Sequence, residues 1–310
     1  MELLNGTTVE EFVLQGFKIG QEGCLLLLIF FTAVYMLTLA ENVFIIMLVV
    51  QDAHLPRLPM YILLSNFSWL EICYVNATVP RMLFDLAFPG GLISFHACFL
   101  QFYFFFSLGI TECFFLGAMA LDRYLAICHP LQYPQIMSPN SCYALVAACW
   151  ILGFLWFIAP VALISNLTFC GSRTIDHFVC DPGPILALAC PPVGYTPLLC
   201  QIFIASVVLG TFIFTLISYA CVGATLVKTS SSRIKGFSTV CSHLAVVMLF
   251  YGSVVAMYVG PSRESQAAIT KVVTLFYSAV TPLLNPLIYC LRNDQVKQAL
   301  LRFLRRKRVM

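Results

Sequence analysis

Charged side chains are scarce in this chain, so the few that fall among apolar neighbours mark where chemistry can occur. Glu41, Glu71 and Glu112 lie inside long apolar runs, as do Asn42 and Asn285. A carboxylate in such surroundings costs a few kcal/mol unless it turns inward, pairs, or stays protonated. Glu71 and Glu112, with Asn42 and Asn285 within reach, are candidates for a site holding a sodium ion or a proton. The same residues also fit a neutral, hydrogen-bonded packing pair. Asp122-Arg123-Tyr124 ends an apolar segment on an acid, a base and an aromatic. An Arg near lipid snorkels to the interface or pairs with a carboxylate, and Asp122 is adjacent. The triplet reads as a switch at the water boundary or as a marker of the cytoplasmic edge. Of the 14 cysteines, Cys98, Cys170, Cys180 and Cys190 group on one side of the chain's apolar runs, and four cysteines allow three pairings. His177 lies among them, but the spacing fits no zinc motif and no metal site is expected. No nucleophile with a positioned base and no phosphate-binding loop is recognisable, which argues against an enzyme.

These groups need elements to hold them, and composition says which kind. With 60% hydrophobic and 10% charged residues and a mean hydropathy of +0.91, the chain is a membrane protein. About 20 apolar residues span a bilayer as a helix. Seven such runs occur, near 24–50, 60–83, 96–121, 142–164, 198–227, 237–260 and 269–291. The expected fold is an all-α seven-transmembrane-helix bundle over 24–291, with an extracellular N-terminus over 1–23 and a cytoplasmic tail over 292–310. The tail is expected to carry a short basic amphipathic helix near 293–305 on the inner leaflet. Orientation follows from basic residues, which stay on the cytoplasmic side. Up to Gly23, Lys18 faces Glu2, Glu10, Glu11 and Glu22, a net −3, whereas the tail after Leu291 has a net +6. The overall charge of +3 points to anionic membrane lipid and not to nucleic acid. The first residues are polar and acidic, so the first apolar run is expected to act as the insertion signal. Asn5 heads an acceptor motif for glycosylation on the outer side, while the matching motifs at Asn66 and Asn76 fall inside an apolar run. An internal repeat of the transporter kind and a repeated polar pore face are both missing from the pattern.

Helix periodicity then picks out faces. Phe102, Phe105, Phe106, Gly109, Ile110 and Cys113 recur on one side of the third run. Tyr251, Val254, Val255 and Tyr258 do so on the sixth, Phe203, Ile204 and Val207 on the fifth, and Tyr277 adds a ring from the seventh. Such stripes are usually core, and here they also outline an apolar, aromatic cleft. Its faces carry no charge, which favours a small, neutral, largely apolar ligand held by one hydrogen bond to Tyr258 or Tyr251.

Several longer stretches carry a resemblance. Met119-Ala120 before the triplet and Ala126-Ile127-Cys128-His129-Pro130-Leu131-Gln132-Tyr133 after it, Pro59-Met60-Tyr61, the segment Lys235 to Leu244, and Pro282-Leu283-Leu284-Asn285-Pro286-Leu287-Ile288-Tyr289 resemble the signatures of vertebrate olfactory (odorant) receptors, a branch of the rhodopsin-like G-protein-coupled receptors. Leu121, Glu41, Gly236 and Val240 depart from the usual residues. The resemblance implies disulfides Cys98–Cys180 and Cys170–Cys190, and a volatile ligand in the cleft lined by the faces above. It also implies coupling to a stimulatory, olfactory-type heterotrimeric G protein that raises cyclic AMP. Asp122, Arg123, Tyr124, Tyr219, Lys235, Asn285, Pro286 and Tyr289 would carry the switch, Pro286 by freeing a helix hydrogen bond. Amine receptors have an Asp where this chain has Phe105, and opsins a Schiff-base Lys where it has Ala279, so neither ligand class is implied. The expected location is the plasma membrane, as a multi-pass protein of olfactory sensory cilia. The alternative is a receptor of the same family working outside the nose as a metabolite sensor.

Overall fold

A computed structural model describes residues 9–16, 19–52, 55–170, 172–228, 233–258, 264–291, 296, 298–299 and 302, the side chains within 233–240, 242, 256–258, 264–269, 286–287 and 289–291 excepted. Seven long helices overlie the seven apolar runs. They are α1 (Gln21–Gln51), α2 (Pro59–Ala87), α3 (Phe95–Cys128), α4 (Pro139–Ser165), α5 (Thr196–Lys228), α6 (Arg233–Tyr258) and α7 over 264–291. At about 1.5 Å per residue each of them can cross the apolar thickness of a bilayer.

The sequence sets several helix ends directly. Pro59 and Pro139 stand in the first turns of α2 and α4, where a missing N–H costs nothing. Ser94 and Ser138 cap α3 and α4, their hydroxyls accepting from the amides of Ala97 and Ser141. Two helices are interrupted. A turn at Phe157 breaks α4, and a π-helical turn, Phe276–Val280, interrupts α7 ahead of Thr281–Leu291.

Helix α3 is the axis of the bundle. It packs against α2, α4 and α5, while α1 closes against α2 and α7. The α3–α4 seam is close because Gly153 has no side chain: a methyl there would lie 2.9 Å from the Thr111 Cα. Polarity runs inside out. Asn42, Ser68, Glu71, Ser107, Glu112 and Asn285 are buried, while Leu26, Ile29, Phe30, Leu209, Ile213 and Ile217 stand exposed on α1 and α5. A chain that turns its largest aliphatic side chains outward and its carboxylates inward is solvated by hydrocarbon.

One feature was not expected from the sequence. Within the N-terminal segment, β1 (Glu11–Leu14) pairs antiparallel with β2 (Leu92–Ser94) and parallel with β3 (Thr174–Ile175). Alternation explains it, since Phe12 and Leu14 point inward and are buried while Glu11 is exposed. The Phe12 ring packs on Phe95 and Phe169. This small sheet lids the bundle end opposite Asp122-Arg123-Tyr124. Disulfides Cys98–Cys180 and Cys170–Cys190 pin the segment that carries β3, the first of them to α3.

Candidate functional site

Beneath the lid, an aromatic cavity lies where α2, α3, α5, α6 and α7 converge. Phe105, Phe106, Gly109, Ile110 and Cys113 line it from α3, at the helical spacing that puts them on one face. Ile204 and Val208 face them from α5, Phe250 and Val254 from α6, Tyr277 from α7 and Tyr74 from α2. The rings interlock: Tyr277 lies 5.5 Å from both Tyr74 and Phe250, and Tyr74 lies 5.3 Å from Phe105. Just behind this wall the Tyr251 hydroxyl donates to Thr211 Oγ1 at 2.8 Å. The cavity amounts to about 30 Å³, the space of one water, whereas small-molecule sites commonly run to hundreds of Å³. The bundle is therefore in a closed arrangement, and a ligand larger than water enters only if the wall gives.

Below the cavity, three helices meet at one amide. Asn285 Nδ2 donates to Glu71 Oε1 at 2.7 Å and to Glu112 Oε1 at 3.1 Å. Glu71 Oε2 and Asn285 Oδ1 have no hydrogen-bond partner among the described residues. Two buried carboxyl groups that share one amide donor cannot both hold an uncompensated charge. Asn42 stands apart from the cluster: its amide donates to the Thr38 and Pro282 carbonyls and so ties α1 to α7. Among the described residues, no group of three or more His, Cys, Asp and Glu is placed to hold a metal.

At the far end of α3, Asp122 accepts from the Tyr133 hydroxyl at 2.7 Å. Arg123 Nε lies 3.6 Å from Asp122 Oδ2, an ion pair longer than a hydrogen bond. Burial, reinforced by the Asp122 charge, pushes the Tyr133 hydroxyl above its usual range, so it remains a donor. Arg123, Asp122 and His243 line a small recess with Met60, Leu63, Leu64 and Met119. Tyr124 turns aside to His129, Oη to Nε2 at 3.0 Å. Tyr219 is buried with its ring 6.2 Å from His243.

The lid has its own polar clasp. Lys271 Nζ, on α7, lies 2.6 Å from Asp176 Oδ1 and donates to the carbonyls of Gln15 and Gly16. His177 is buried beside it, its Nδ1 accepting from the Val179 amide. Burial first, then the Lys271 charge, lowers the His177 pKa to about 3.

Comparison with known proteins decides what this arrangement belongs to. A family described as "Olfactory receptor" matches residues 31–307. Olfactory receptor 11G2 of Homo sapiens is 53% identical over 301 residues, 96% of this chain and 87% of the relative. Olfactory receptor 11H6 of Homo sapiens is 50% identical over 298 residues, covering 96% and 90%. The chain belongs to the olfactory receptor family. Olfactory receptor 6B1 of Homo sapiens, at 44% identity over 300 residues, 97% of this chain and 96% of the relative, widens the match beyond one subgroup. Membership makes this chain a multi-pass membrane receptor of the seven-helix class and not an enzyme.

For this olfactory receptor the cavity draws together eight of the residues that the sequence sets on the faces of the cleft: Phe105, Phe106, Gly109, Ile110, Cys113, Ile204, Val254 and Tyr277. Others lie elsewhere. Phe102 packs behind the wall on Phe106 and Phe157, and Val207 is buried off the cavity. Phe203 turns to α4, its carbonyl accepting from Trp156 Nε1. Tyr251 is spent on Thr211, and Val255 is 43% exposed on the outer flank of α6. The side chains of Tyr258, Lys235, Pro286 and Tyr289 lie outside the described residues, as do Asn5 and most of the tail near 293–305. Of that tail, Val296 and Ala299 are buried, and Arg302 pairs with Asp52 at 2.7 Å. Tyr74, Val208 and Phe250 escaped the sequence reading. Val208 was within reach, four residues past Ile204, and so was Phe250, four residues before Val254 on the same side of α6.

Proposed function

We propose that this olfactory receptor is an odorant receptor of the plasma membrane, N-terminus outside, that binds a small, neutral, mainly apolar molecule in the cavity under the lid. Binding activates a stimulatory, olfactory-type G protein and raises cyclic AMP, in the cilia of olfactory sensory neurons. The observation that carries the reading is the cavity itself: eleven of the described residues, from five helices, line it and none is charged, the polar groups at or near its wall including the Tyr74, Tyr251 and Tyr277 hydroxyls, Thr211 and the Cys113 thiol, with the Glu71–Glu112–Asn285 cluster below. Because the cavity is closed, a ligand that fits better once α5 and α6 have shifted draws the bundle to that state. At the opposite end, such a shift moves His243 away from Arg123 and opens a groove for the G protein. The negative N-terminal segment and the lid with two disulfides favour the outside for that end. Glu71, Glu112 and Asn285 would hold a proton or a sodium ion that stabilises the closed state. Sodium-dependent potency that Glu112→Gln leaves intact would remove the sodium version.

The test is cyclic-AMP output across an odorant panel in cells co-expressing the olfactory G protein, with surface display measured. A saturable response to a neutral odorant, lost in Arg123→Ala at equal display, is expected. Silence at normal display, or a response restricted to charged ligands, would sink the reading.

A further inference from the structure

A second recess opens on the flank of the bundle. It is a groove of about 580 Å³ between α2, α3 and α4 in the lid-side half, within the range of small-molecule sites. Cys73, Asn76, Ala77 and Arg81 line it from α2, Gln101 and Leu108 from α3, and Trp150 and Phe154 from α4; the Asn76 amide is already engaged, its Oδ1 accepting from the Tyr35 hydroxyl and its Nδ2 donating to the Ile72 carbonyl. Leu100 and Phe104 also line it and are 58% and 40% exposed. The groove therefore opens sideways between membrane-spanning helices, where the molecules able to reach it are those dissolved in the bilayer.

We propose that this groove is a binding site for a membrane sterol. Length is the first reason. From Ala97 to Leu108 the groove follows α3 for about 16 Å, close to half of the apolar bilayer thickness of about 30 Å. The occupant is thus one leaflet long. Shape is the second. Trp150 and Phe154 stack at 6.1 Å with their planes 29° apart, and Phe104 meets Phe154 edge-on at 5.9 Å. A stiff aromatic wall suits a rigid fused-ring plane, whereas a pair of acyl chains loses rotamer freedom on being held against it. Charge is the third. Arg81, at the lid-side end, lies 2.9 Å from Asp85 and donates to the Gly91 and Leu92 carbonyls, which leaves that end neutral and poorly suited to a phosphate headgroup. A single hydroxyl needs one partner, and Gln101 supplies it: its Nε2 reaches the Ala77 carbonyl only at 3.4 Å, a bond it can exchange for a sterol oxygen. Gln101 Oε1 meanwhile accepts from the Cys180 amide, so the site touches the disulfide that anchors the lid.

The experiment uses the full-length receptor in phosphatidylcholine nanodiscs with a photoreactive sterol, the labelled peptides being mapped by mass spectrometry. Labelling is expected in the segments that contain 73–108 and 150–154, with excess cholesterol, and not added phosphatidylcholine, reducing it about tenfold or more. Ala97→Trp, which fills the lid-side end from an exposed position, should cut labelling by a similar factor at unchanged surface display. If that variant fails to reach the surface, Phe104→Ala, which removes part of the wall, serves in its place with the same expected loss. Labelling spread over other helices, equal competition by phosphatidylcholine or by an apolar odorant, or labelling that survives the substitution would overturn the proposal.

Discussion

At Gly109 one absent methyl makes room for the Tyr277 hydroxyl, because a Cβ there would stand 2.9 Å from it. Gly109→Ala must push Tyr277 off its contacts with Tyr74 and Phe250, and overfilling a packed interior costs about 1–3 kcal/mol. The expected result is a loss of odorant potency of about tenfold or more at unchanged surface display, read as the midpoint of the cyclic-AMP curve. Tyr133 makes a different prediction. Its hydroxyl is the hydrogen-bond donor to the nearly buried Asp122, and Tyr133→Phe leaves that carboxylate oxygen unmet at a cost of about 1–3 kcal/mol to the closed state. Basal cyclic AMP without ligand should therefore rise severalfold, and unchanged basal output at matched display would count against a resting-state role for this bond. The two positions also show what a single sequence yields. Gly109 was legible, since it shares a helical face with Phe105, Phe106 and Ile110. The link from Tyr133 to Asp122 was not, because a turn after α3 decides which way the ring folds back. Tyr74 was hidden for a related reason: it follows Glu71 on the inner face of α2, but nothing local says that this face reaches the cavity.

Elements were read more fully than side chains. Seven apolar runs of bilayer length sufficed to place seven helices, as hydrocarbon leaves the backbone no other partner for its hydrogen bonds. The interruptions were not legible: nothing in Phe276–Val280 marks a π turn, and Phe157 is an ordinary apolar residue in an apolar run. The lid sheet was missed because a four-residue strand, Glu11–Leu14, offers too little alternation to stand out and pairs with segments far along the chain. Packing between elements gives a sharp prediction at the α3–α4 seam. Gly153 lets Thr111 approach so closely that any side chain must separate the two helices. Gly153→Val is expected to lower surface display severalfold and to reduce the thermal stability of the purified receptor, whereas Gly210→Ala on α5, where a methyl meets nothing within 4 Å, should leave both unchanged. Equal behaviour of the two variants would mean that the seam can yield.

On the scale of the whole molecule, the two ends of the bundle are fastened in different ways. Among the described residues, the end that carries Arg123 shows the Asp122–Tyr133 hydrogen bond and the Asp52–Arg302 ion pair, whereas the lid is held by two disulfides, a sheet and the Lys271–Asp176 clasp. Covalent fastening at the lid suits a receptor that keeps its ligand chamber closed while the opposite end opens. The lid also gives the molecule a pH dependence with a definite sign. His177 is held neutral in the folded receptor, its pKa lowered from 6.5 to about 3 by burial and by Lys271, with Asp176 opposing. In the unfolded chain it takes a proton near pH 6.5, so below that pH the unfolded state binds more protons and folding weakens. Stability from this group is complete above about pH 6.5 and is lost progressively as pH falls toward 3. At roughly 1.4 kcal/mol per pH unit at full slope, acidification from 7 to 5 removes on the order of 2 kcal/mol. The melting temperature of the purified receptor should therefore fall over that interval. His177→Gln, which places a neutral amide in the same site, should melt lower at pH 7 but with a much flatter pH dependence. A wild-type melting temperature that stays level from pH 7 to 5 would mean that the lid opens enough in the native state for His177 to be protonated there.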